Sequence, residues 1–262
     1  MSSLIGYDPL ERSRRVYNLV ARNLDGIEER LYYRFRGGRW YGGIAAADVI
    51  GCNLSCRFCW AWYFKDDPRK GKWYTPYRAA DKLLSIADRR GYRLVRLTGG
   101  EPTITRKHLI ELIEEVTSQR KIFVLETNGI LLGAYRDYAE ELAKMKRLVV
   151  RVSFKGVTPE EFHRLTGANP DAWYLQLKAI ENLVDYGLRP GEEVYAAAMI
   201  GWSKEEDIKW FISQLRNIHP ALIDVDWEYV ILYKHVIKIL KKTGLWPPMR
   251  AVSPEGIPED MI

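Results

Sequence analysis

The sequence has little of what defines secreted and membrane-anchored proteins. Its 262 residues include only three cysteines, and no apolar run approaches the roughly 18 residues that span a bilayer. The N-terminal stretch turns charged between Glu11 and Arg15 and lacks the long apolar core of a signal peptide. An odd number of closely spaced cysteines argues against a disulfide framework. We therefore expect a cytoplasmic protein, with no membrane partner, in a reducing compartment.

Amide side chains are also scarce, which bears on how the charge is interpreted. The only glutamines are Gln119, Gln176 and Gln214, whereas 28% of residues are charged and the net charge is +6. A basic balance suits an acidic partner such as RNA or an acidic electron carrier. Abundant Lys, Arg and Glu with few amides is equally typical of thermophile proteins. We expect a thermophilic source, so the charge is weak evidence for RNA binding.

Short β-branched runs alternate with helical patterns from about Tyr41 onward, which predicts an α/β fold. Strands are predicted at 43–50, 92–97, 121–126, 148–154, 193–200 and 223–232. Helices are predicted at 76–90, 107–118, 135–145, 159–165, 171–186, 204–218 and 235–243, with Thr75 and Ser203 as caps. Six strand–helix repeats indicate parallel strands joined by right-handed crossovers. The pattern predicts a partial (β/α)6 barrel, an incomplete version of the eight-unit barrel.

Residues 1–40 lie outside this alternation and are expected to form an N-terminal extension to a barrel domain at 41–262. Asp8 is a candidate cap for a helix over 9–23, and 31–44 is expected to form a hairpin around Gly37-Gly38. The proline-rich tail after Leu245 is expected to be a loop over the open side of the barrel. The histidines are expected at surface or helix-capping positions: His108, His163, His219 and His235.

All three cysteines, Cys52, Cys56 and Cys59, follow the first predicted barrel strand. Parallel folds place their chemistry at such strand ends. Thiolates bind iron–sulfur clusters, usually four to a cubane, so three leave one iron free for a small molecule. Zinc is the alternative, but closed zinc sites use four protein ligands, and no histidine is near in sequence. The pattern predicts a 4Fe-4S cluster with one open iron.

The spacing Cys-x-x-x-Cys-x-x-Cys resembles that of the radical S-adenosylmethionine (SAM) superfamily. The resemblance implies that SAM chelates the fourth iron. It also implies reductive cleavage of SAM to methionine and a 5′-deoxyadenosyl radical that abstracts hydrogen from a substrate. Trp60, directly after Cys59, stands where the superfamily commonly has an aromatic residue near the adenine.

The next predicted strand ends in Gly99-Gly100-Glu101-Pro102. Two glycines allow close approach of the backbone to a ligand, and a carboxylate beside them can pair with an ammonium group. An ordinary strand–helix turn is the alternative for this segment taken by itself. The resemblance to the superfamily implies that the segment holds the methionine amino group of SAM and gives that role to Glu101.

Three later strand ends are similar to those of the pyruvate formate-lyase activating enzymes. Residues 126–129 read Glu-Thr-Asn-Gly, residues 153–156 read Ser-Phe-Lys-Gly, and residues 200–203 read Ile-Gly-Trp-Ser. The subgroup has Asp-Thr-Asn-Gly, Asp-Leu-Lys and Pro-Gly-Trp-Ser at these places. The resemblance implies further SAM contacts at Thr127, Asn128, Ser153 and Lys155.

The chain departs from this subgroup at its two aspartates. Glu126 and Ser153 stand in their places, and Arg151 lies two residues before Ser153. The carboxylate pair that binds a monovalent cation is therefore halved, and we expect the cation site to be lost. Lys155 can also be interpreted as a solvent-exposed lysine at the rim.

The substrate is much less constrained than the cofactors, because fold and cofactor do not define it. The nearest resemblance predicts an activase that abstracts hydrogen from a glycine of a partner enzyme. Interleaved aromatic and basic residues at 32–36 and 39–41 favour RNA or a nucleotide-like small molecule instead, unless these aromatics only pack the hairpin. A non-catalytic iron–sulfur protein is the third hypothesis, and the Gly-Gly-Glu segment argues against it.

The chemistry implied by the resemblance needs an electron from a protein donor, for which reduced ferredoxin or flavodoxin is the expectation. Such carriers are usually acidic, so the net charge of +6 favours the encounter.

Overall fold

A computed structural model describes residues 6–256 of the chain. The strands are β1 (Ala21–Leu24), β2 (Ile27–Gly38), β3 (Ile44–Val49), β4 (Lys72–Tyr74), β5 (Leu94–Gly99), β6 (Ile122–Thr127), β7 (Leu148–Phe154), β8 (Val194–Met199), β9 (Asp226–Glu228), β10 (Val230–Ile231) and β11 (Ala251–Val252). The helices are α1 (Pro9–Val20), α2 (Pro76–Arg90), α3 (Arg106–Ser118), α4 (Ile130–Ala134), α5 (Arg136–Ala143), α6 (Pro159–Thr166), α7 (Trp173–Asp185), α8 (Glu205–Ile218) and α9 (Lys234–Lys242).

Six parallel strands form the centre of the sheet in the order β3-β5-β6-β7-β8-β9. Each is hydrogen-bonded to the next strand of the set in sequence. This confirms the predicted partial (β/α)6 barrel. The antiparallel strand β2 extends the sheet beside β3, and β1 and β4 both pair with β2. The N-terminal segment therefore contributes a strand to the same sheet.

The two faces of the barrel strands differ sharply in chemistry. Alternate residues such as Val95, Leu97 and Phe123 are fully buried in the main hydrophobic core together with the helices. Successive side chains of a strand point to opposite faces, so the intervening residues face the interior of the barrel. These interior residues are largely polar or charged: Asp48, Arg96, Thr98, Glu126, Arg151 and Ser153. This polar interior is called the lumen below.

The N-terminal extension differs from the prediction in two places. Helix α1 is capped by Asp8 as expected but ends at Val20, because Ala21 adopts an extended conformation and begins β1. The Gly37-Gly38 pair lies within β2, and the chain turns at residues 39–43. A Cβ on Gly37 would lie 2.9 Å from the end of the exposed Arg90 side chain.

Three expectations about side chains and the tail are also wrong. Ser203 does not cap α8, because its hydroxyl donates to the Glu161 carboxylate (2.8 Å). His108 is fully buried, and its ring nitrogens contact the Tyr32 hydroxyl (2.6 Å) and the Glu28 carbonyl (2.9 Å). The tail is more than a loop, since β11 pairs in parallel with β10. The Ser203–Glu161 hydrogen bond and the contacts of the His108 ring provide partners for buried polar groups that would otherwise lack them.

The last barrel strand is shorter than predicted. Residues 220–223 form a turn of 3₁₀ helix, and the extended chain is divided between β9 and β10. Within residues 6–256 no helix is long and apolar enough to cross a bilayer.

Gly133 of α4 provides a test of the helix packing. A Cβ at this position would lie 1.9 Å from the Leu175 carbonyl oxygen of α7. Alanine normally stabilises a helix relative to glycine by up to about 1 kcal/mol. Here we expect Gly133→Ala to lower the free energy of unfolding by about 2 kcal/mol, because overpacking outweighs propensity. Urea unfolding measures this, and a stabilised variant would show that α4 and α7 are not in this contact.

Candidate functional site

The three cysteines lie on one loop that the rest of the chain holds in place. All three thiols are free, and the backbone N–H of Gly51 donates to the Lys65 carbonyl (2.7 Å), which closes the loop. Asn53 donates to the Ser13 hydroxyl of α1 (3.0 Å). The N–H of Ser55 donates to the Tyr7 hydroxyl (2.8 Å). The N-terminal extension therefore fixes the cysteine loop against the barrel.

The environment of the thiols is buried but electropositive. Burial raises the pKa of all three, that of Cys52 to about 12. The Lys65 ammonium opposes this rise at each cysteine, and Lys155 opposes it at Cys56 and Cys59. Lys65 is itself almost completely buried and pairs with Asp66. No motif in the sequence identifies Lys65 as part of this site.

The donor set fits a cluster better than a single ion. Among residues 6–256 no three Cys, His, Asp or Glu side chains converge closely enough to hold one metal ion. This disfavours the zinc alternative. An iron–sulfur cubane is larger than an ion and is held by thiolates spread around it. Three thiols on one loop, with two ammonium groups nearby, match the charge and donor type of such a cluster.

The Gly-Gly-Glu segment is joined directly to the cysteine loop. The Gly100 N–H donates to the Val49 carbonyl (2.8 Å), and the Glu101 N–H donates to the Gly51 carbonyl (2.7 Å). Gly99 has a φ of +96°, and a Cβ on Gly100 would lie 2.2 Å from the Gly51 carbonyl oxygen. Only glycine accommodates this backbone path and this approach. The two sequence-predicted segments therefore meet in the structure.

The Glu101 carboxylate is buried and accepts four hydrogen bonds from protein donors. One oxygen accepts from the Thr103 N–H (3.1 Å), the Thr103 hydroxyl (2.6 Å) and the Thr127 hydroxyl (2.6 Å). The other accepts from the Asn128 N–H (2.8 Å). One oxygen therefore carries three of these bonds, and the other, which has about two acceptor positions, carries one. The side chain therefore ties the end of β5 to the end of β6.

Arg30 supports the same turn from behind. This fully buried guanidinium donates to the carbonyls of Pro102 (2.9 Å), Glu101 (2.7 Å) and Ile50 (3.2 Å), and to the Thr105 hydroxyl (2.6 Å). Sequence reasoning missed Arg30, because it lies in a strand with no recognisable motif.

Asn128 and Gln176 connect the ends of β6 and β7. The Asn128 amide donates to the Asn53 side chain in the cysteine loop (2.6 Å). The buried Gln176 amide donates to the carbonyls of Asn128 (2.7 Å) and Ser153 (3.1 Å). Gln176 was noted only for the rarity of glutamine. Its place on the apolar face of a predicted helix is the signal that could have identified it.

Ser153 and Lys155 form a buried network with Glu228 and Arg151. The Ser153 hydroxyl donates to Glu228 (2.6 Å), and Lys155 contacts Ser153 and pairs with Glu228 (3.3 Å). Arg151 pairs with Glu228 (2.8 Å) and with Asp226 through its Nη2 (2.6 Å). The side chain of Lys155 is only 20% exposed, which disfavours the interpretation as a rim lysine. The Arg151 guanidinium of β7 thus neutralises the two acids of β9.

Strand register places further charged residues in rows across the lumen. Arg36, Ala46 and Arg96 are neighbours across β2, β3 and β5, and Arg34 and Asp48 are neighbours in the row above. Arg96 pairs with Glu126 (3.2 Å), which also accepts from the Tyr41 hydroxyl (3.1 Å). The lumen is therefore lined by charged residues, and the residues predicted to bind SAM lie at its end, where the strands have their carboxyl ends.

Trp60 lies at the mouth of the lumen, where the C-terminal part of the chain meets the cysteine loop. Its carbonyl contacts the His235 ring nitrogen (2.9 Å), and its ring centroid lies 5.5 Å from the Arg34 guanidinium. The His235 ring also packs on Tyr63 and Tyr233. Residues 230–235 therefore close the barrel between β9 and the N-terminal strands.

A partial α/β barrel with three thiols and a Gly-Gly-Glu turn at its strand ends defines an iron–sulfur enzyme class. A profile of the Radical SAM superfamily matches residues 49–211, and the chain belongs to this superfamily. Its members use a 4Fe-4S cluster and S-adenosylmethionine. The matched region contains every site residue that the sequence predicted.

Curated relatives of the chain include proteins named as GTP 3',8-cyclases, so the resemblance is not specific to the pyruvate formate-lyase activating enzymes. A probable GTP 3',8-cyclase of Thermococcus kodakarensis is 33% identical over 162 residues, covering 60% of this chain and 47% of that protein. One of Methanopyrus kandleri is 31% identical over 155 residues, covering 58% and 47%. The chain thus spans about half the length of the curated relatives it matches. Streptococcus suis SuiB bound to S-adenosylmethionine shares the fold, with a TM-score of 0.52 at 22% identity over 64% of this chain and 36% of SuiB.

Glu228 makes the network of β7 and β9 sensitive to acid. Burial alone would raise the pKa of this carboxyl, but Lys155, Arg151 and Ser153 together lower it to about 2. An unfolded glutamate titrates near 4.3. A carboxyl whose pKa falls on folding contributes stability above its unfolded pKa, and this contribution is lost as the pH falls towards its folded pKa.

We therefore expect Glu228→Gln to be less stable than wild type at pH 6, with the difference shrinking between about pH 4.5 and pH 2. Urea unfolding of both proteins across this range measures the effect. Comparison with wild type at each pH cancels the titration of the other carboxyls. A stability difference that stays constant from pH 6 to pH 2 would contradict the assignment.

Proposed function

We propose that this chain cleaves SAM reductively at a 4Fe-4S cluster held by Cys52, Cys56 and Cys59. Three free thiols on one anchored loop, joined by backbone hydrogen bonds to the Gly-Gly-Glu turn, carry this proposal. When bound, cluster and SAM supply one-electron cleavage to methionine and a 5′-deoxyadenosyl radical, which takes a hydrogen atom from the substrate. The electron comes from a protein donor, for which a reduced ferredoxin or flavodoxin remains our expectation.

Within this proposal the Gly-Gly-Glu segment binds the methionine amino group through its backbone. The Glu101 carboxylate already accepts four hydrogen bonds from protein donors. An ammonium group has three donors and needs acceptors, and backbone carbonyls at Gly99 and Gly100 supply them without disrupting that network. Glu101, Thr127 and Asn128 then act mainly by fixing the shape of the SAM site. Trp60 remains the proposed contact for the adenine.

Ser153 and Lys155 stand on the other side of this proposed SAM site. Lys155 follows the carboxyl end of β7 as the cysteine loop follows that of β3, so both lie at the same edge of the parallel strands. The charge of Lys155 opposes the rise in the pKa of Cys56 and Cys59. A cation at this place attracts a carboxylate. We propose that Lys155 and Ser153 hold the SAM carboxylate or ribose, with Glu228 and Arg151 keeping both side chains oriented.

We further propose that the substrate is a nucleotide-like small molecule. The curated relatives are named as GTP 3',8-cyclases, and the lumen presents arginines from β2, β5 and β7. A glycine loop of a partner protein, as an activase requires, offers no charge to match these groups. The relatives therefore favour the nucleotide hypothesis over the activase hypothesis suggested by the strand-end motifs.

RNA fits the structure less well as a substrate than a nucleotide-like small molecule does. Tyr32 is buried and stacks on Phe35 (5.2 Å between ring centroids), and Tyr33 stacks on Phe64 (4.9 Å). The aromatic residues at 32–35 thus pack the hairpin against the barrel. They do not form an open platform for successive bases.

The first test is reductive SAM cleavage by anaerobically reconstituted protein with dithionite, following 5′-deoxyadenosine by chromatography. We expect wild type to form 5′-deoxyadenosine and Cys56→Ala to form at most background amounts, because the variant lacks a thiolate. Arg216→Gln, at an exposed position of α8, is the control and should behave as wild type. Protein that loads iron and sulfide but never forms 5′-deoxyadenosine, alone or with GTP, would refute the proposed function.

Lys65 provides a second test that does not depend on the substrate. Its buried ammonium is close enough to lower the pKa of every cysteine, so it favours added negative charge at the site. We expect Lys65→Met to lower the midpoint potential of the reconstituted protein by on the order of 60 mV, a factor of ten for one electron.

An EPR-monitored redox titration measures this potential after iron and sulfide content have been matched. Lys209→Met, at an exposed position of α8, controls for the loss of one positive charge at a distance. Equal potentials in Lys65→Met and wild type would show that Lys65 does not act on the cluster.

A further inference from the structure

Arg34 and Arg36 share one buried carboxylate on the wall of the lumen. The Nε atoms of Arg34 and Arg36 lie 2.6 Å and 3.1 Å from the same Oδ2 of Asp48, which is completely buried. Both arginines come from β2, and Asp48 comes from the adjacent β3. Two guanidinium groups against one carboxylate leave an uncompensated positive charge at this place.

Each of these arginines also has a buried N–H group without an acceptor. The atoms are Nη2 of Arg34 and Nη1 of Arg36. A buried charged donor without a partner is costly. We therefore expect a ligand to supply the missing acceptor. The other acids of the lumen do not supply it, because Glu126 pairs with Arg96 and Glu228 pairs with Arg151 and Lys155.

The position of the pair is suited to contact with a substrate. In the row below, the small side chain of Ala46 stands between Arg36 and Arg96 in the strand register. In the row above, the Arg34 guanidinium lies over the Trp60 ring. The pair therefore lies on the wall of the lumen next to Trp60, the proposed adenine contact.

We propose that Arg34 and Arg36 form an anion subsite that receives a phosphate group of the substrate. This inference rests on the proposed function and specifies its substrate as a phosphorylated one. Guanidinium groups present paired donors that match phosphate oxygens. Asp48 orients both forks, so the donors are fixed before the ligand binds, which lowers the entropic cost of binding.

Two features of the pair guide the choice of variants. Because Asp48 contacts both arginines, removing either one leaves the carboxylate paired with the other. Arg34→Gln and Arg36→Gln are therefore expected to fold, which thermal unfolding checks. Arg34→Lys retains the charge but loses the fork, and Arg216→Gln on α8 is the matched control outside the lumen.

Isothermal titration calorimetry on anaerobically reconstituted protein containing SAM tests the subsite. The probes are GTP, guanosine and inorganic pyrophosphate, the last of which carries no base. We expect wild type and Arg216→Gln to bind GTP at least about tenfold more tightly than guanosine, and to bind pyrophosphate. Arg34→Gln and Arg36→Gln should bring the ratio close to one and abolish pyrophosphate binding, with Arg34→Lys intermediate and guanosine affinity unchanged.

The remaining outcomes overturn the inference in distinguishable ways. If wild type binds neither GTP nor pyrophosphate, or binds GTP and guanosine equally, the lumen has no phosphate subsite. If both Gln variants keep the wild-type ratio, the phosphate is bound elsewhere. If they lose affinity for SAM instead, the pair serves the SAM carboxylate.

The same preparations are assayed for 5′-deoxyadenosine, so that a failure of the phosphate subsite is distinguished from a failure of the proposed SAM cleavage. Formation of 5′-deoxyadenosine without any preference for phosphate refutes the subsite and leaves the proposed function intact. Absence of 5′-deoxyadenosine refutes the proposed function whatever the calorimetry shows.

Discussion

The hydrogen bonds of the buried Arg30 guanidinium are the interaction on which the site depends. One side chain from β2 donates to the carbonyls of Ile50, Glu101 and Pro102, which belong to two different strand-end turns. A buried carbonyl that loses its donor costs about 1–3 kcal/mol, and that of Glu101 also accepts from the Ile104 N–H (3.4 Å). Through Arg30 the N-terminal extension fixes the relative positions of the cysteine loop and the Gly-Gly-Glu turn.

Elsewhere in the site, too, polar side chains form hydrogen bonds that join one strand end to the next. Glu101 collects donors from the ends of β5 and β6, and Gln176 bridges the ends of β6 and β7. Because these groups are satisfied internally, the backbone around them is held rigidly. Rigid positioning of donors and acceptors is what a cofactor site needs. Charge balance in the lumen is more uneven, because the acids of β9 are neutralised by Arg151 whereas the two arginines of β2 share one carboxylate.

Much of the fold could be predicted from local sequence, because periodicity reports directly on which face of an element is buried. The six barrel strands and α2 with its Thr75 cap lie close to their predicted positions. The errors come from residues whose partners are distant. Ser203 has a sequence position suited to capping, but Glu161 competes for its hydroxyl. His108 is expected at the surface because it is polar, yet it is enclosed by Tyr32 and Glu28.

The sequence by itself determined the class of chemistry, because three cysteines within eight residues and a Gly-Gly-Glu turn need no distant partner to be recognised. It also determined the barrel, since parallel strands bring their carboxyl ends to one edge whatever the details of packing. Only the tertiary structure decided how those residues are supported. Arg30, Lys65 and Gln176 lie in stretches without motifs, and their roles arise because folding removes them from water and leaves specific carbonyls and thiols as their neighbours. Burial of a polar group is a property of the whole fold.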